Sequence, residues 1–289
     1  MPHHEDPQSR LLEHWSRERV DPSGLLVIAG PCVLESDEVN HRIAEKIAEA
    51  CADTGATFVF KASFDKANRS SIHSDRGPGM EKGLEQLADI RATHGVPILT
   101  DVHEPDQASP VADVVDMIQI PAFLCRQTDL LAACGATGRP IAVKKGQFMS
   151  PAEMRLVLEK LRESNAGPLM VTERGTFFGY HRLVNDFIGL GDLMELAKDF
   201  EALTCFDATH STQLPGGSGS MSGGRPERAP LLARAAVAAG VRTIFLEAHP
   251  DPSAARSDAA TVLPLDSIPS LLSTLGRLCD AVAETESRA

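Results

Sequence analysis

Eight short runs of β-branched and aliphatic residues recur along the chain, each followed by a stretch of helical periodicity, and this alternation constrains the fold more than any other feature. The runs are LLVIAG (25–30), TFVFKAS (57–63), PILTDVH (97–103), MIQIPAF (117–123), IAVKKG (141–146), LMVTERG (169–175), LTCFDATH (203–210) and TIFLEAHP (243–250). The first intervening helix is the clearest. Ser36 offers an N-cap oxygen, Asp37 and Glu38 suit the positive end of the helix dipole, Val39, Ile43, Ile47 and Cys51 share a face, and Gly55 ends it. Further helices are predicted over 80–94, 105–115, 128–137, 150–165, 186–200, 226–240 and 266–283, while 214–225 reads as a Gly/Ser-rich loop. Eight strand–helix units in this order fit an α/β fold, a closed (β/α)8 TIM barrel over residues 25–289, better than an open sheet. Residues 1–24 form a short N-terminal extension to it.

Reactive side chains gather where the runs end: Cys32, Lys61, Asp101 with His103, Gln119, Lys144 with Lys145, Glu173 with Arg174, Asp207 with His210, and Glu247 with His249. In a parallel barrel these ends meet on one face, the face on which barrel active sites form. The chain as a whole is acidic, with 40 Asp and Glu against 28 Lys and Arg. That balance argues against a nucleic-acid groove or an anionic membrane surface as the main partner. Yet Lys61, Lys66, Arg69, Lys144, Lys145 and Arg174 sit at strand ends, so the expected ligand is a small polyanion. A solvated surface lysine is a reasonable reading of Lys145 but a poor one in FVFKASFDKANRSS, where cations directly interrupt apolar residues. No apolar run reaches the roughly 18 residues of a membrane span, and MPHHEDPQSR lacks the basic-then-apolar pattern of a secretory signal, so a soluble cytoplasmic protein is expected.

Six cysteines, at 32, 51, 125, 134, 205 and 279, are scattered without a CxxC pair, which fits reduced thiols. Cys51, Cys134, Cys205 and Cys279 read as packing groups. Cys32 stands directly after Gly30-Pro31 at the end of the first run, and three roles are open to it: a buried hydrophobe, a nucleophile with His210 or His103 as base, or a metal ligand. Thiolate, imidazole and carboxylate are donors that zinc or iron accepts, and His210 and Glu247 end the runs that closure would set beside the first. Asp258, eleven residues beyond Glu247, is within reach of the same point, although spacing alone does not fix it.

The segments FKASFDKANRSSIHSDRGPGMEKGL, PILTDVHEPDQASPVADVVDMIQIPAFLCRQTDLL, VKKGQF, TERGTFFGY, FDATHSTQLPGG and EAHPDPSAARSDA resemble the 3-deoxy-D-manno-octulosonate 8-phosphate synthases (KDO8P synthases). The resemblance runs over nearly the whole chain from about residue 25. It implies a (β/α)8 barrel, usually a homotetramer, that condenses phosphoenolpyruvate with D-arabinose 5-phosphate in lipopolysaccharide biosynthesis. The family has a metal-dependent and a metal-independent class, and Cys32 is similar to the residue that marks the former. By resemblance Cys32, His210, Glu247 and Asp258 hold one divalent ion (zinc, iron, manganese or similar). Lys61, Lys66, Lys144 and Arg174 resemble the cations that bind phosphoenolpyruvate, with Gln119 and Ala122 beside them. Asn68, Arg69 and Ser70 resemble the arabinose 5-phosphate site, and Arg126 resembles an arginine that reaches into a neighbouring subunit. Asp101 and His103 fall near the reacting carbons and are candidates for proton handling. The chain departs from the family pattern at His181-Arg182, where asparagine-type residues are more usual, and in residues 1–24.

Three other readings compete. The sister 3-deoxy-D-arabino-heptulosonate 7-phosphate synthases resemble the chain in fold and metal set but carry a KPRTS-like stretch where this sequence has KANRSS. A Schiff-base lyase would use Lys144 or Lys61, and a non-catalytic sugar-phosphate binder would release no phosphate. The glycines of 214–225 suit a segment that closes over bound substrate.

Overall fold

The computed structural model describes residues 6–18, 24–69, 71–218 and 221–286. Eight parallel strands close on themselves: β1 (Leu26–Gly30), β2 (Thr57–Lys61), β3 (Ile98–Asp101), β4 (Met117–Ile120), β5 (Ile141–Lys144), β6 (Leu169–Glu173), β7 (Leu203–Asp207) and β8 (Thr243–His249). Each strand pairs with its sequence neighbour, and β1 pairs with β8 from Leu26↔Thr243 to Gly30↔Glu247. Leu263–Pro264 adds a short strand to β8. The strands are buried along nearly their whole length, which is why they read as continuous apolar runs and not as alternating ones.

Helices α2 (Asp37–Thr54), α3 (Met80–His94), α4 (Ala108–Ala112), α5 (Thr128–Gly135), α6 (Met154–Glu163), α7 (Phe187–Lys198), α8 (Ala229–Ala238) and α9 (Ile268–Glu286) surround the barrel. The caps of α2 are those expected. Ser36 accepts from the Val39 amide, and Gly55 takes a left-handed conformation at φ 68° that a side chain would strain. The stretch 105–115 is broken: Pro105–Gln107 is a 3-10 turn and only Ala108–Ala112 is α-helical. The helix expected over 226–240 likewise opens with a 3-10 turn at Pro226–Arg228.

Part of the N-terminal extension is a helix that periodicity did not disclose, α1 (Pro7–Glu18). Its Leu11 and Trp15 are buried against the barrel lining, among them Leu26, Val59, Leu99, Met117 and Leu203 near the starts of their strands. They close the end of the barrel opposite the reactive residues. Polar contacts hold the helix there: Arg91 Nη2 donates to Asp6 (2.8 Å), Arg139 Nη1 to Gln8 (2.6 Å), and His14 Nδ1 lies 2.8 Å from Thr57 Oγ1. Arg10 also donates to the Gly95 carbonyl.

Two β-hairpins rise from the opposite end. Thr176–Gly179 pairs with Arg182–Val184, and Gln213–Ser218 pairs with Met221–Gly224. The second corrects the loop expected over 214–225. Glycines hide strand periodicity but do not prevent backbone pairing, and Gly216 at φ 72° allows the irregularity between Leu214 and Ser218. His181 Nδ1 lies 3.2 Å from the Pro215 carbonyl, so the departure noted at His181-Arg182 joins the two hairpins.

Burial of Trp15 at the foot of the barrel leads to a prediction. Trp15→Ala should destabilise the chain by about 3 kcal/mol, measured as a lower midpoint in urea unfolding, while the far end keeps its structure.

Candidate active site at the carboxyl ends of the strands

The site is assembled from the join between the first two strands. A Cβ on Gly30 would come within 2.0 Å of the Lys61 carbonyl oxygen, so β1 and β2 can approach this closely only with glycine at that position. Pairing continues past their ends as a bridge between Val33 and Ser63, which fixes Cys32 over the barrel mouth. Lys61, buried on β2, donates to Ser63 Oγ at 2.9 Å, and its Nζ lies 3.5 Å from Asp101 and 3.8 Å from Glu247.

Closure of β1 on β8 brings Cys32 to Glu247. The ligand atoms of Cys32, Glu247 and Asp258 all lie within 4.8 Å of one another. Cys32 Sγ donates to Asp258 Oδ2 at 2.9 Å, and His210 Nε2 stands 3.5 Å from Glu247 and 4.0 Å from Asp258. The other ring nitrogen of His210 is held by Asp207, 2.7 Å from Nδ1. Burial alone would raise the Asp207 carboxyl, but His210 and Lys144 keep it far below the usual carboxylate range. An ionised Asp207 can only accept, so Nδ1 donates to it and the ring is held with Nε2 facing the two carboxylates. This is the outer support found behind metal-bound histidines.

The four residues fit a divalent cation. Glu247 is fully buried, yet neither of its oxygens has a hydrogen-bond partner among the described residues. A buried carboxylate left in that state is costly without a positive charge. Burial, then the negative charges of Asp258 and Glu247, push the Cys32 thiol well above its ordinary pKa. A divalent ion reverses that balance, since a coordinating thiol loses its proton outright. At Asp258 burial again opposes ionisation, but His210 and Lys66 hold the carboxyl far below its ordinary value. Asp258 adopts φ 50°, a conformation uncommon outside glycine, within a loop fixed by the Thr261 amide donating to its carbonyl.

Cations surround this pocket. Burial works against the Lys66 ammonium, but Cys32, Glu247, Asp101 and Asp258 together raise its pKa above the ordinary lysine value. Lys144 donates to Asp207 at 2.6 Å and lies 3.8 Å from the centre of the Phe245 ring; burial lowers its pKa despite Asp207. Arg174 donates through Nη2 to Gln213 at 2.7 Å, while its Nε and Nη1, both buried, have no partner among the described residues. Its pKa is lowered, chiefly by burial. Gln119, on β4, and Ala122, just after it, are both buried. Burial likewise opposes the Asp101 carboxylate, but Lys61 and His103 hold it well below the usual range. His103 Nε2 is 3.1 Å from Asp101, and its Nδ1 is buried without a partner among the described residues.

Not every candidate converges. Asn68 is exposed in a turn, Arg126 is exposed beyond β4, and Ser70 lies outside the described residues. Arg69 reaches inward instead, donating to Ser257 Oγ at 2.9 Å and to the Arg256 carbonyl at 2.8 Å. The solvated reading of Lys145 is overturned. It is 1% exposed, with Nζ 3.4 Å from Glu173 and donating to Thr176 Oγ1 at 3.1 Å, because the hairpin after β6 covers the position where it would meet water. Residues without an expected role include Ser63, Ser257, Gln213 and Phe245. Asp207 had a legible signal, since Asp and His three residues apart at a strand end suit a carboxylate–imidazole pair.

A parallel barrel whose mouth joins a thiol, an imidazole and two carboxylates to unneutralised buried cations defines a class: barrel enzymes acting on small anionic substrates. The chain belongs to the DAHP synthetase I family, whose sequence pattern matches residues 21–284. Among curated relatives it is 53% identical over 252 residues to a 2-dehydro-3-deoxyphosphooctonate aldolase of Nitratidesulfovibrio vulgaris, covering 87% of this chain and 91% of that one. It is 51% identical to the Aromatoleum aromaticum protein of the same name (86% and 88% covered) and 50% identical to that of Bordetella pertussis (86% and 88%). Among the described residues, no helix is long and apolar enough to cross a membrane.

The support of His210 by Asp207 can be tested directly. Asp207→Asn should weaken retention of a divalent ion by about 10- to 100-fold, read by competition with a chelating dye, with the barrel still folded by circular dichroism.

Proposed function

We propose that the protein is a 3-deoxy-8-phosphooctulonate synthase, a transferase that joins phosphoenolpyruvate to D-arabinose 5-phosphate to give KDO 8-phosphate and inorganic phosphate, for lipopolysaccharide synthesis in the cytoplasm. The observation that carries this reading to the chemistry is Arg174, a buried guanidinium with two nitrogens unpartnered among the described residues, in a mouth that also holds Lys61, Lys66 and Lys144. A fixed cationic fork in a site of low dielectric calls for a phosphate or carboxylate ligand. Phosphoenolpyruvate carries both, and Gln119 and Ala122 would line its other side. Arg69, with Asn68 and Ser70, is assigned the sugar phosphate.

Carbon–carbon bond formation places C3 of the enol phosphate against the sugar aldehyde. The C3–C1 bond forms, the aldehyde oxygen takes a proton, and water adds at C2 of the former enol. The resulting hemiketal phosphate loses inorganic phosphate by C–O cleavage, leaving the keto group. Two phosphates this close repel, so the lysines and Arg174 contribute by neutralising and orienting both substrates before reaction. His103, steadied through Nε2 by the Asp101 carboxylate, is assigned the proton at the aldehyde oxygen through its unpartnered Nδ1. Cys32, His210, Glu247 and Asp258 are proposed to hold one divalent ion, which would supply Lewis-acid polarisation of the sugar carbonyl. The hairpin Gln213–Gly224 follows His210 and carries the partner of Arg174, which suits a segment that closes over bound substrate.

A homotetramer is proposed in which Arg126 serves a neighbouring subunit. Arg126 is exposed beside Phe123, and Phe123 and Phe148 are each 49% exposed, an arrangement better suited to an interface than to water.

The sister heptulosonate reading differs in its sugar, so an assay of phosphate release decides between them. Release from phosphoenolpyruvate is expected with arabinose 5-phosphate and not with erythrose 4-phosphate, lost on chelation and restored by added metal. Turnover with the four-carbon sugar would overturn the assignment. Cys32→Asn should retain turnover while losing metal far more readily, seen as a lower metal content after gel filtration.

A further inference from the structure

A second group of nitrogen and oxygen donors lies outside the barrel mouth, between α2 and α3. His41 Nδ1 on α2 and His94 Nε2 at the end of α3 face each other at 2.9 Å, with ring centres 5.1 Å apart and planes inclined by 41°. The remaining ring nitrogen of His41, Nε2, is 2.8 Å from Asp89 Oδ2. Asp89 fixes the tautomer: it accepts from Nε2–H and leaves the Nδ1 lone pair aimed at His94. That is the relation of carboxylate, imidazole and ligand atom that supports histidines in metal sites. Glu45 lies one helical turn after His41 on the same helix, so it shares that face, and its charge acts on His94. Burial and the His41 ring hold His94 below the ordinary histidine pKa, against Glu45 and Asp89, so His94 is neutral at pH 7.

We propose that His41 Nδ1 and His94 Nε2 form a two-histidine binding site for a divalent transition-metal ion of the imidazole-preferring kind, zinc being the reference, which clips α2 to α3, with water completing the ion's shell. Two nitrogens at ordinary zinc distances in a tetrahedral arrangement stand about 3.3 Å apart, so a small outward turn of either ring admits the ion. The bond requirement is simple. The proton shared between the facing nitrogens moves to His94 Nδ1, both lone pairs become donors, and nothing is oxidised or reduced. Nickel and copper fit the same donors, whereas magnesium and calcium, which take oxygen, do not. The site draws on none of the residues at the barrel mouth, so it stands or falls independently of the proposed reaction.

The test uses the full-length protein equilibrated with a tenfold excess of zinc at pH 7.5, followed by gel filtration and metal analysis. Wild type should hold one equivalent per chain more than His94→Gln or His41→Gln, whatever the mouth retains, and both variants should keep the phosphate-release activity. Asp89→Asn should keep the equivalent with at least tenfold weaker affinity. Zinc-dependent gain in melting temperature should be smaller in His94→Gln than in wild type, a readout that separates loss of the site from general damage. Equal zinc content in wild type and both histidine variants would overturn the proposal, and so would an extra equivalent that persists after both histidines are replaced, since other donors would then hold it.

Discussion

The register between the first and last barrel strands sets the position of everything at the mouth. Gly30 pairs opposite Glu247, and the bare backbone of Gly30 lets β2 close in on the other side. From that one alignment, Cys32, Lys61 and Glu247 must share a small volume although more than two hundred positions separate the first from the last. A parallel barrel closes only when its register is consistent all the way round. The placement of these groups is therefore enforced by some forty strand residues and not by their own weak attractions.

What is enforced there is otherwise unfavourable. Lys61, Lys144, Arg174, Asp101, Asp207 and Glu247 are all nearly or fully buried. Ion pairs so deep give little net stability, because removing charges from water costs as much as their attraction returns. The apolar shell between strands and helices, with Trp15 and Leu11 sealing the foot, carries the fold. The mouth can thus hold charges whose partners come only in part from the chain. Among the described residues the Glu247 oxygens lack donors and Nε and Nη1 of Arg174 lack acceptors, and these complementary deficits lie in one pocket.

The eight strands, most helices and the polarity of the mouth were legible because each run is apolar until its last residue and reactive after it. Less could be read where the cause is not local. Asp258 reaches the pocket through a left-handed backbone in a long loop, which no spacing rule encodes. For Lys145 a solvated reading stayed open, because only the hairpin after β6, which local sequence does not place, covers that position. The hairpin at 213–224 escaped because glycines leave no alternating pattern, and α1 escaped because its apolar face is two residues, Leu11 and Trp15, in a polar setting. Resemblance to a known family supplied Asp258 where periodicity could not, but it did not single out Ser63, Ser257 or Phe245.

Ser257 joins two loops that the chain keeps far apart. Its hydroxyl receives Arg69 on one side and stands 3.0 Å from the Cys32 sulfur on the other. The arginine of the loop after β2 and the thiol after β1 are therefore mechanically in series. An anion that draws the guanidinium away must also change what surrounds the sulfur, and thermodynamic reciprocity makes the influence equal in both directions.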